Sequence, residues 1–257
     1  MEQIFHRRLL MAAPSMSRTS SSLNHVGPLS RRDDEQIRSL YDRHARLVDA
    51  LLGRATENSP YRRIAIARLG LTPNSSVLDV ACGVGSNFKI IESYLRNSGT
   101  LVGIDISSES LEVAKRLVAK HKWTNVHLLN TSITNYRPKE QFDAILCTFA
   151  LEIIAQYEAA IDNIFELLTP EGRFAMLGMR TSSAVPCRGL NAFVGWVLGK
   201  ACIDLGRNLA QHIESRARIL SYEECFLGFY FVLSASRQNN YLADPPETAR
   251  PRFSEIP

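Results

Sequence analysis

Val77-Leu78-Asp79-Val80-Ala81-Cys82-Gly83-Val84-Gly85-Ser86 runs an apolar strand into a glycine turn, and Leu101-Val102-Gly103-Ile104-Asp105 follows about twenty positions later with an acid at its end. Glycines remove the side chains that block close approach of backbone to a ligand, and an acid ending the second strand of such a unit is placed for a ribose. The two segments together read as a nucleoside pocket. A turn that faces a pyrophosphate usually reads G-x-G-x-x-G, and here the third glycine place is Phe88. Asp79, upstream of Gly83 at the strand end, adds a second negative charge that repels a diphosphate and suits a cationic ligand. Both features disfavour a nicotinamide dinucleotide.

Working outward, strand and helix patterns alternate from this unit to about residue 180, which makes a parallel sheet with helices on both faces and ligands at the carboxyl ends of its strands. Val126-His127-Leu128-Leu129 reads as a third strand, followed by Asn130-Thr131-Ser132-Ile133. Phe142 to Leu151 reads as a fourth strand with its exit loop, and Leu168 to Leu177 as a turn shaped by Pro170 and Gly172 leading into a fifth. Ahead of the sheet, Ile37, Leu40, Tyr41, Leu47, Val48, Leu51 and Leu52 recur at helical spacing, so a helix is expected over residues 34–54 with His44 on its apolar face. Ser59-Pro60 announces a second helix that ends near Gly70. Past Arg180 the pattern loosens into Thr181 to Arg207, then a short helix around Asn208 to Ala217, then closing strands at Ile219-Leu220 and Phe229 to Leu233. The expected organisation is a tail over 1–33, disordered or targeting, one domain over 34–237, and a polar, proline-bearing disordered tail over 238–257.

Composition narrows the function. The net charge of +4 sits wholly in residues 1–32, where Arg7, Arg8, Arg18, Arg31 and Arg32 face Glu2 alone. The neutral body argues against a nucleic-acid substrate. The acid-poor, Ser- and Arg-rich leading segment has the composition of an organellar, mitochondrial-type transit peptide; without such targeting a cytoplasmic location is expected. Five scattered cysteines with no C-x-x-C pair indicate neither a disulfide framework nor a metal site, and fit a reducing compartment. No apolar run reaches the roughly eighteen residues that span a bilayer.

The turn resembles the first motif of the class I S-adenosylmethionine (SAM)-dependent methyltransferases, acid-x-x-x-G-x-G, matched by Asp79, Gly83 and Gly85. This resemblance implies a Rossmann-like doubly wound α/β sheet of about seven strands, mostly parallel with an antiparallel last strand. It also implies S-adenosyl-L-methionine as cofactor. Gly83 and Gly85, with Ala81, would pass under the methionine part, Asp79 would stand near its amino group, and Asp105 would take the ribose hydroxyls with Ile106 beside it. Ser132 falls where the family often carries an acid or amide for the adenine, Ile133 would cover the ring, and Thr148 to Leu151 would border cofactor and substrate. Leu40-Tyr41-Asp42-Arg43-His44-Ala45 and Gly228-Phe229-Tyr230-Phe231 look like the branch of ubiquinone/menaquinone and phospholipid N-methyltransferases, in which a tyrosine of the first helix, here Tyr41, covers the cofactor.

The implied activity is methyl transfer to a small-molecule or lipid acceptor: a quinol or phenol, a carbon, or an amine. Residues 181–217 would form an apolar lid, suited to an apolar substrate or to peripheral membrane contact. Such a reaction needs an oriented nucleophile and a dry site, with a general base only where the acceptor must lose a proton. Tyr41, His44 and Glu152 are the catalytic candidates, and Glu152 reads equally well as a solvated carboxylate at a helix start. A noncatalytic binding scaffold using the Gly189 to Leu205 surface is the alternative.

Overall fold

The computed structural model describes residues 59–182 and 204–237. Expectations for residues 1–58, 183–203 and 238–257 lie outside them, including the helix over 34–54 and most of the lid.

Helix α1 (Pro60–Ala67) opens as its sequence requires, with the Ser59 side chain accepting from the Tyr61 N–H at 3.3 Å and proline at the first helical position. Its buried face is Arg62, Ala65 and Ile66, and the chain leaves it through Gly70 at φ +67°. Strand β1 (Ser76–Val80), helix α2 (Phe88–Leu95), strand β2 (Thr100–Asp105), helix α3 (Ser108–His121) and strand β3 (Val126–Asn130) follow. Strand β4 (Phe142–Thr148), helix α4 (Tyr157–Glu166), strand β5 (Leu168–Met179), helix α5 (Leu209–Glu214), strand β6 (Ala217–Cys225) and strand β7 (Tyr230–Arg237) complete the described chain.

The seven strands lie in the order β3-β2-β1-β4-β5-β7-β6. β1 pairs in parallel with β2 and β4, β2 with β3, and β4 with β5, whereas β7 runs antiparallel between β5 and β6. Successive side chains of a strand face opposite ways, so β4 sends Ile145 and Cys147 to one core and Ala144 and Leu146 to the other. The first core closes under α4 and α5 through Ile161, Ile164, Leu209 and Ile213. The second closes under α1, α2 and α3 through Ile66, Phe88, Ile91 and Leu111. This is the doubly wound sheet that the alternation predicts. Chain order reverses between β1 and β4, which opens a crevice at their carboxyl ends.

Three boundaries differ from the sequence reading. The turn around Pro170 and Gly172 is absorbed into β5 as an irregularity, the register shifting between Phe142 and Ala144. The short helix ends at Glu214, and Ala217 already belongs to β6. β6 is much longer than Ile219-Leu220 because it is an edge strand: Arg218, Glu223 and Glu224 belong to its ladder, and charged residues there hide strand character while discouraging edge-to-edge pairing.

Candidate active site

The glycine turn and the acid of β2 are hydrogen-bonded to each other. The Gly83 N–H donates to Asp105 Oδ2 at 2.8 Å, and the Ser107 N–H donates to Asp105 Oδ1 at 2.8 Å. Two backbone donors therefore fix the carboxylate plane, while Ile106 between them is half-buried. The turn itself needs unusual backbone: Ala81, Gly83 and Gly85 have φ of +53°, +56° and +84°. A Cβ on Gly83 would meet no heavy atom of the described residues within 4 Å, so its open side is a cradle that a ligand can approach. Gly85 is needed for the opposite reason, since a Cβ there would lie 2.7 Å from the Phe88 ring. Phe88 is fully buried, and its ring tip also approaches Gly103. Thus the residue in the third glycine place fills the space between turn and β2 with hydrocarbon.

On the same α1 and α2 face of the sheet, Asp79 is wholly buried, and both its oxygens accept from Asn87 Nδ2 at 3.0 and 3.1 Å. Asn87 Oδ1 accepts from Arg62 Nη1 at 2.6 Å, and the Thr148 hydroxyl accepts from Arg62 Nη1 at 2.8 Å and from Asn87 Nδ2 at 3.1 Å. Burial pushes the Asp79 carboxyl up to about 7, against the opposing pull of Asn87 and Arg62, and the Asp105 charge adds to the rise. A buried acid separated from its nearest cation by an amide is suited to a second, external cation.

Sequence reasoning missed Arg62 and Asn87. The available signal is that Arg62 shares the stripe Ala65-Ile66-Leu69, so a cation sits on the face that must be buried and needs an internal polar partner.

Beyond Thr148 the chain turns at Phe149, φ +55°, whose N–H donates to the Leu177 carbonyl at 2.7 Å. The Arg62 guanidinium lies 5.4 Å over the Phe149 ring, and that ring meets Tyr230 edge-on at 5.4 Å. Tyr61 and Phe226 also contact Tyr230, at 5.9 and 5.2 Å between centroids. An aromatic wall therefore runs from the crevice to the end of the sheet where β5 stops and β7 begins.

Ser132 is half-buried and its hydroxyl shares a hydrogen bond with Thr134 at 2.8 Å, while Ile133 is packed into the α4 side of the core. Glu152 departs from the solvated reading: it is 1% exposed, and the next helix starts at Tyr157. Its Oε1 accepts from the Met179 N–H at 2.6 Å. Tyr41 and His44 fall outside the described residues. The structure thus gathers Asp79, Ala81, Gly83, Gly85, Asp105 and Thr148 around one crevice.

Among proteins of known sequence, the demethylmenaquinone methyltransferase of Symbiobacterium thermophilum is 28% identical over 156 residues, covering 58% of this chain and 61% of the relative. The ubiquinone/menaquinone biosynthesis C-methyltransferase of Geotalea daltonii is 27% identical over 164 residues, covering 62% and 69%. Against the demethylmenaquinone enzymes the chain therefore spans about three fifths of the relatives' own length. The N-methyltransferase NodS from Bradyrhizobium japonicum WM9, solved with S-adenosyl-L-homocysteine, superposes with a TM-score of 0.60 at 16% identity, over 78% of this chain and 99% of that one. That last likeness is one of fold. The family described as a methyltransferase domain matches residues 71–218, a stretch that holds the glycine turn, both acids and the β4 exit loop. Because this match takes in more than half of the sequence, the chain belongs to the methyltransferase domain family.

Proposed function

We propose that the chain transfers a methyl group from S-adenosyl-L-methionine to a small aromatic acceptor of the quinol class. The observation that carries the reading is the Gly83–Asp105 hydrogen bond beside the buried Asp79, within a methyltransferase domain. The crevice suits an S-adenosyl group at three points. Gly83 leaves its open side clear of the described residues, Asp105 is held as an acceptor for paired hydroxyls, and Asp79 offers its charge to an ammonium. The donor, when bound, supplies an already activated methyl carbon. The protein must hold the acceptor in line and keep water out, and positioning of that kind supplies roughly 7–11 kcal/mol.

The names of the relatives support a quinol acceptor, and so does the Phe149–Tyr230–Tyr61 cluster, whose aromatic surface is chemically matched to a planar ring. Phe226 and Leu227 stand at the same rim, 56% and 69% exposed. They support acceptor delivery from a lipid surface, and flotation with phosphatidylcholine vesicles tests that part.

Thermal denaturation with S-adenosyl-L-homocysteine tests the central reading. At a hundredfold excess over its Kd the product should add about 2.7 kcal/mol, roughly 5–11 °C for a chain of this size, with no response to NAD. Labelled SAM should then pass its methyl group to a 1,4-naphthohydroquinone bearing a short prenyl chain. No shift with the product would overturn the reading.

A further inference from the structure

We propose that Glu152 is the proton acceptor for the substrate, taking the hydroxyl proton of a hydroquinone through Oε2; this rests on the quinol-methylating reading above. The carboxyl is hydrogen-bonded at one end, where Oε1 accepts the Met179 N–H, and at the other, among the described residues, Oε2 is buried without a partner. A buried acceptor without a donor costs on the order of 1–3 kcal/mol, a cost that a substrate hydroxyl would remove.

Its position fits the role. Thr148 pairs with Leu177, so Gly178 and Met179 run past the end of β4, and Glu152 lies against them one strand beyond the Asp79–Asn87–Thr148 network. Gly178 shares the Met176 and Phe231 face of the sheet, so the carboxyl stands on the α4 and α5 side of the strand ends and the Asp79–Thr148 network on the α1 and α2 side; an acceptor that reaches Oε2 lies over the strand ends between the two. Gly178 clears the place: a Cβ there would fall 2.5 Å from Glu152 Oε1 and 2.6 Å from the Phe231 ring.

Burial pushes the Glu152 carboxyl up to about 7, with the Met179 N–H, its own backbone N–H and the Arg207 charge pulling it down. The charged and titratable groups facing it among the described residues are Arg207, Asp204 and Cys147. The Asp204 N–H donates to the Glu152 carbonyl at 3.1 Å, and its carboxylate pairs with Arg207 at 3.6 Å. Burial and the Glu152 charge raise the Cys147 thiol well above its ordinary value, so it stays neutral. β5 and β7 present Gly178, Met179 and Phe231, which bear no charge. A carboxyl poised near neutrality is matched to proton transfer at physiological pH.

The step balances. The hydroquinone O–H bond breaks, and its proton goes to Oε2. The resulting phenolate forms a C–C bond from its ring carbon to the methyl carbon as the C–S bond breaks with its electron pair left on sulfur. Loss of the ring proton to the phenolic oxygen restores the aromatic ring, and Glu152 releases its proton to water.

The test uses the full chain with labelled SAM and the prenylated 1,4-naphthohydroquinone. In wild type, kcat should rise with pH through about 7, the form active as a base being the carboxylate. Glu152→Gln should bind S-adenosyl-L-homocysteine within about twofold of wild type, lose about 100-fold or more in kcat, and show no such rise. Glu152→Asp, which keeps the acid, should restore part of the rate and the pH limb. Variants that bind the product normally but keep wild-type kcat and the pH limb would overturn the assignment and leave the SAM reading intact. Should both variants fail to fold, wild type labelled with ¹³C at glutamate Cδ decides. One buried resonance should titrate near neutrality in the S-adenosyl-L-homocysteine complex and move when the hydroquinone is added. A wild-type complex that neither methylates the hydroquinone nor moves that resonance would also overturn it, whereas failure of S-adenosyl-L-homocysteine to bind at all would remove the underlying reading instead.

Discussion

The Gly83 N–H donates to Asp105 Oδ2 at 2.8 Å, so the turn leaving β1 and the acid ending β2 form one rigid unit. That bond orients the carboxylate before any ligand arrives, which lowers the ordering cost of gripping a ribose. Hydrogen bonds to a charged acceptor are each worth roughly 1.5–3 kcal/mol. Asp105→Ala should therefore weaken S-adenosyl-L-homocysteine binding by about 100-fold or more in a calorimetric titration. Asp105→Asn, which keeps one acceptor oxygen, should lose less.

Gly83 and Gly103 should separate binding from stability. A Cβ on Gly103 would lie 2.9 Å from both Cys82 Sγ and the Phe88 ring tip, inside the core, and 3.0 Å from Cδ2 of the half-buried Leu128. Overpacking of that kind costs about 1–3 kcal/mol, so Gly103→Ala should lower the denaturation midpoint in urea. A Cβ on Gly83 meets none of the described residues within 4 Å, and alanine at its positive φ costs only about 1 kcal/mol. Gly83→Ala should nevertheless lose more cofactor affinity than Gly103→Ala, because its methyl group would occupy the cradle.

The contrast between Asp105 and Arg62 shows what the sequence can carry. Asp79, Gly83, Gly85 and Asp105 are legible because a strand, a turn and a second strand are local patterns whose spacing follows from one βαβ unit. The network of Arg62, Asn87, Asp79 and Thr148 draws on residues up to 86 positions apart, and which polar groups meet there is decided only when α1, β1 and β4 pack. The burial of Glu152 escapes the sequence for a related reason. Its residue type and place after a strand suggest a solvated helix start, but its burial is imposed by β5 and the chain around Asp204. β6 is under-read because the polar residues that protect an edge strand erase its apolar alternation.

Asp79 and Glu152 are both pushed up to about 7 by burial, which fixes the sign of a pH effect on stability. Between about pH 4 and pH 7 the folded protein keeps protons that the unfolded chain has released, so stability falls as pH rises through that window and levels off above it. Asp79→Asn should therefore stabilise the ligand-free protein at pH 8, on the order of 1–3 kcal/mol in urea denaturation, and much less at pH 4. The same substitution should weaken SAM binding at pH 8, since it removes the charge offered to the ammonium. Wild-type affinity for SAM should fall as pH drops below about 7, as the carboxyl becomes protonated.

Arg62 links α1 to this network, and its removal should be felt at two levels. Its Nη1 bonds Asn87 and Thr148, and its guanidinium covers Phe149, so Arg62→Ala leaves Asn87 Oδ1 buried without that donor and strips a cation from beside Asp79. An orphaned buried acceptor costs about 1–3 kcal/mol, which sets the expected loss of stability. With its nearby positive charge gone, Asp79 should hold its proton to higher pH. The pH below which SAM affinity declines should move upward in Arg62→Ala, and a calorimetric pH series comparing it with wild type measures that displacement. Arg62→Lys keeps a charge but lacks the planar fork that lets one nitrogen serve Asn87 and Thr148 while the group stacks on Phe149. It should hold the midpoint near that of wild type and still lose stability, which separates the charge of Arg62 from its geometry.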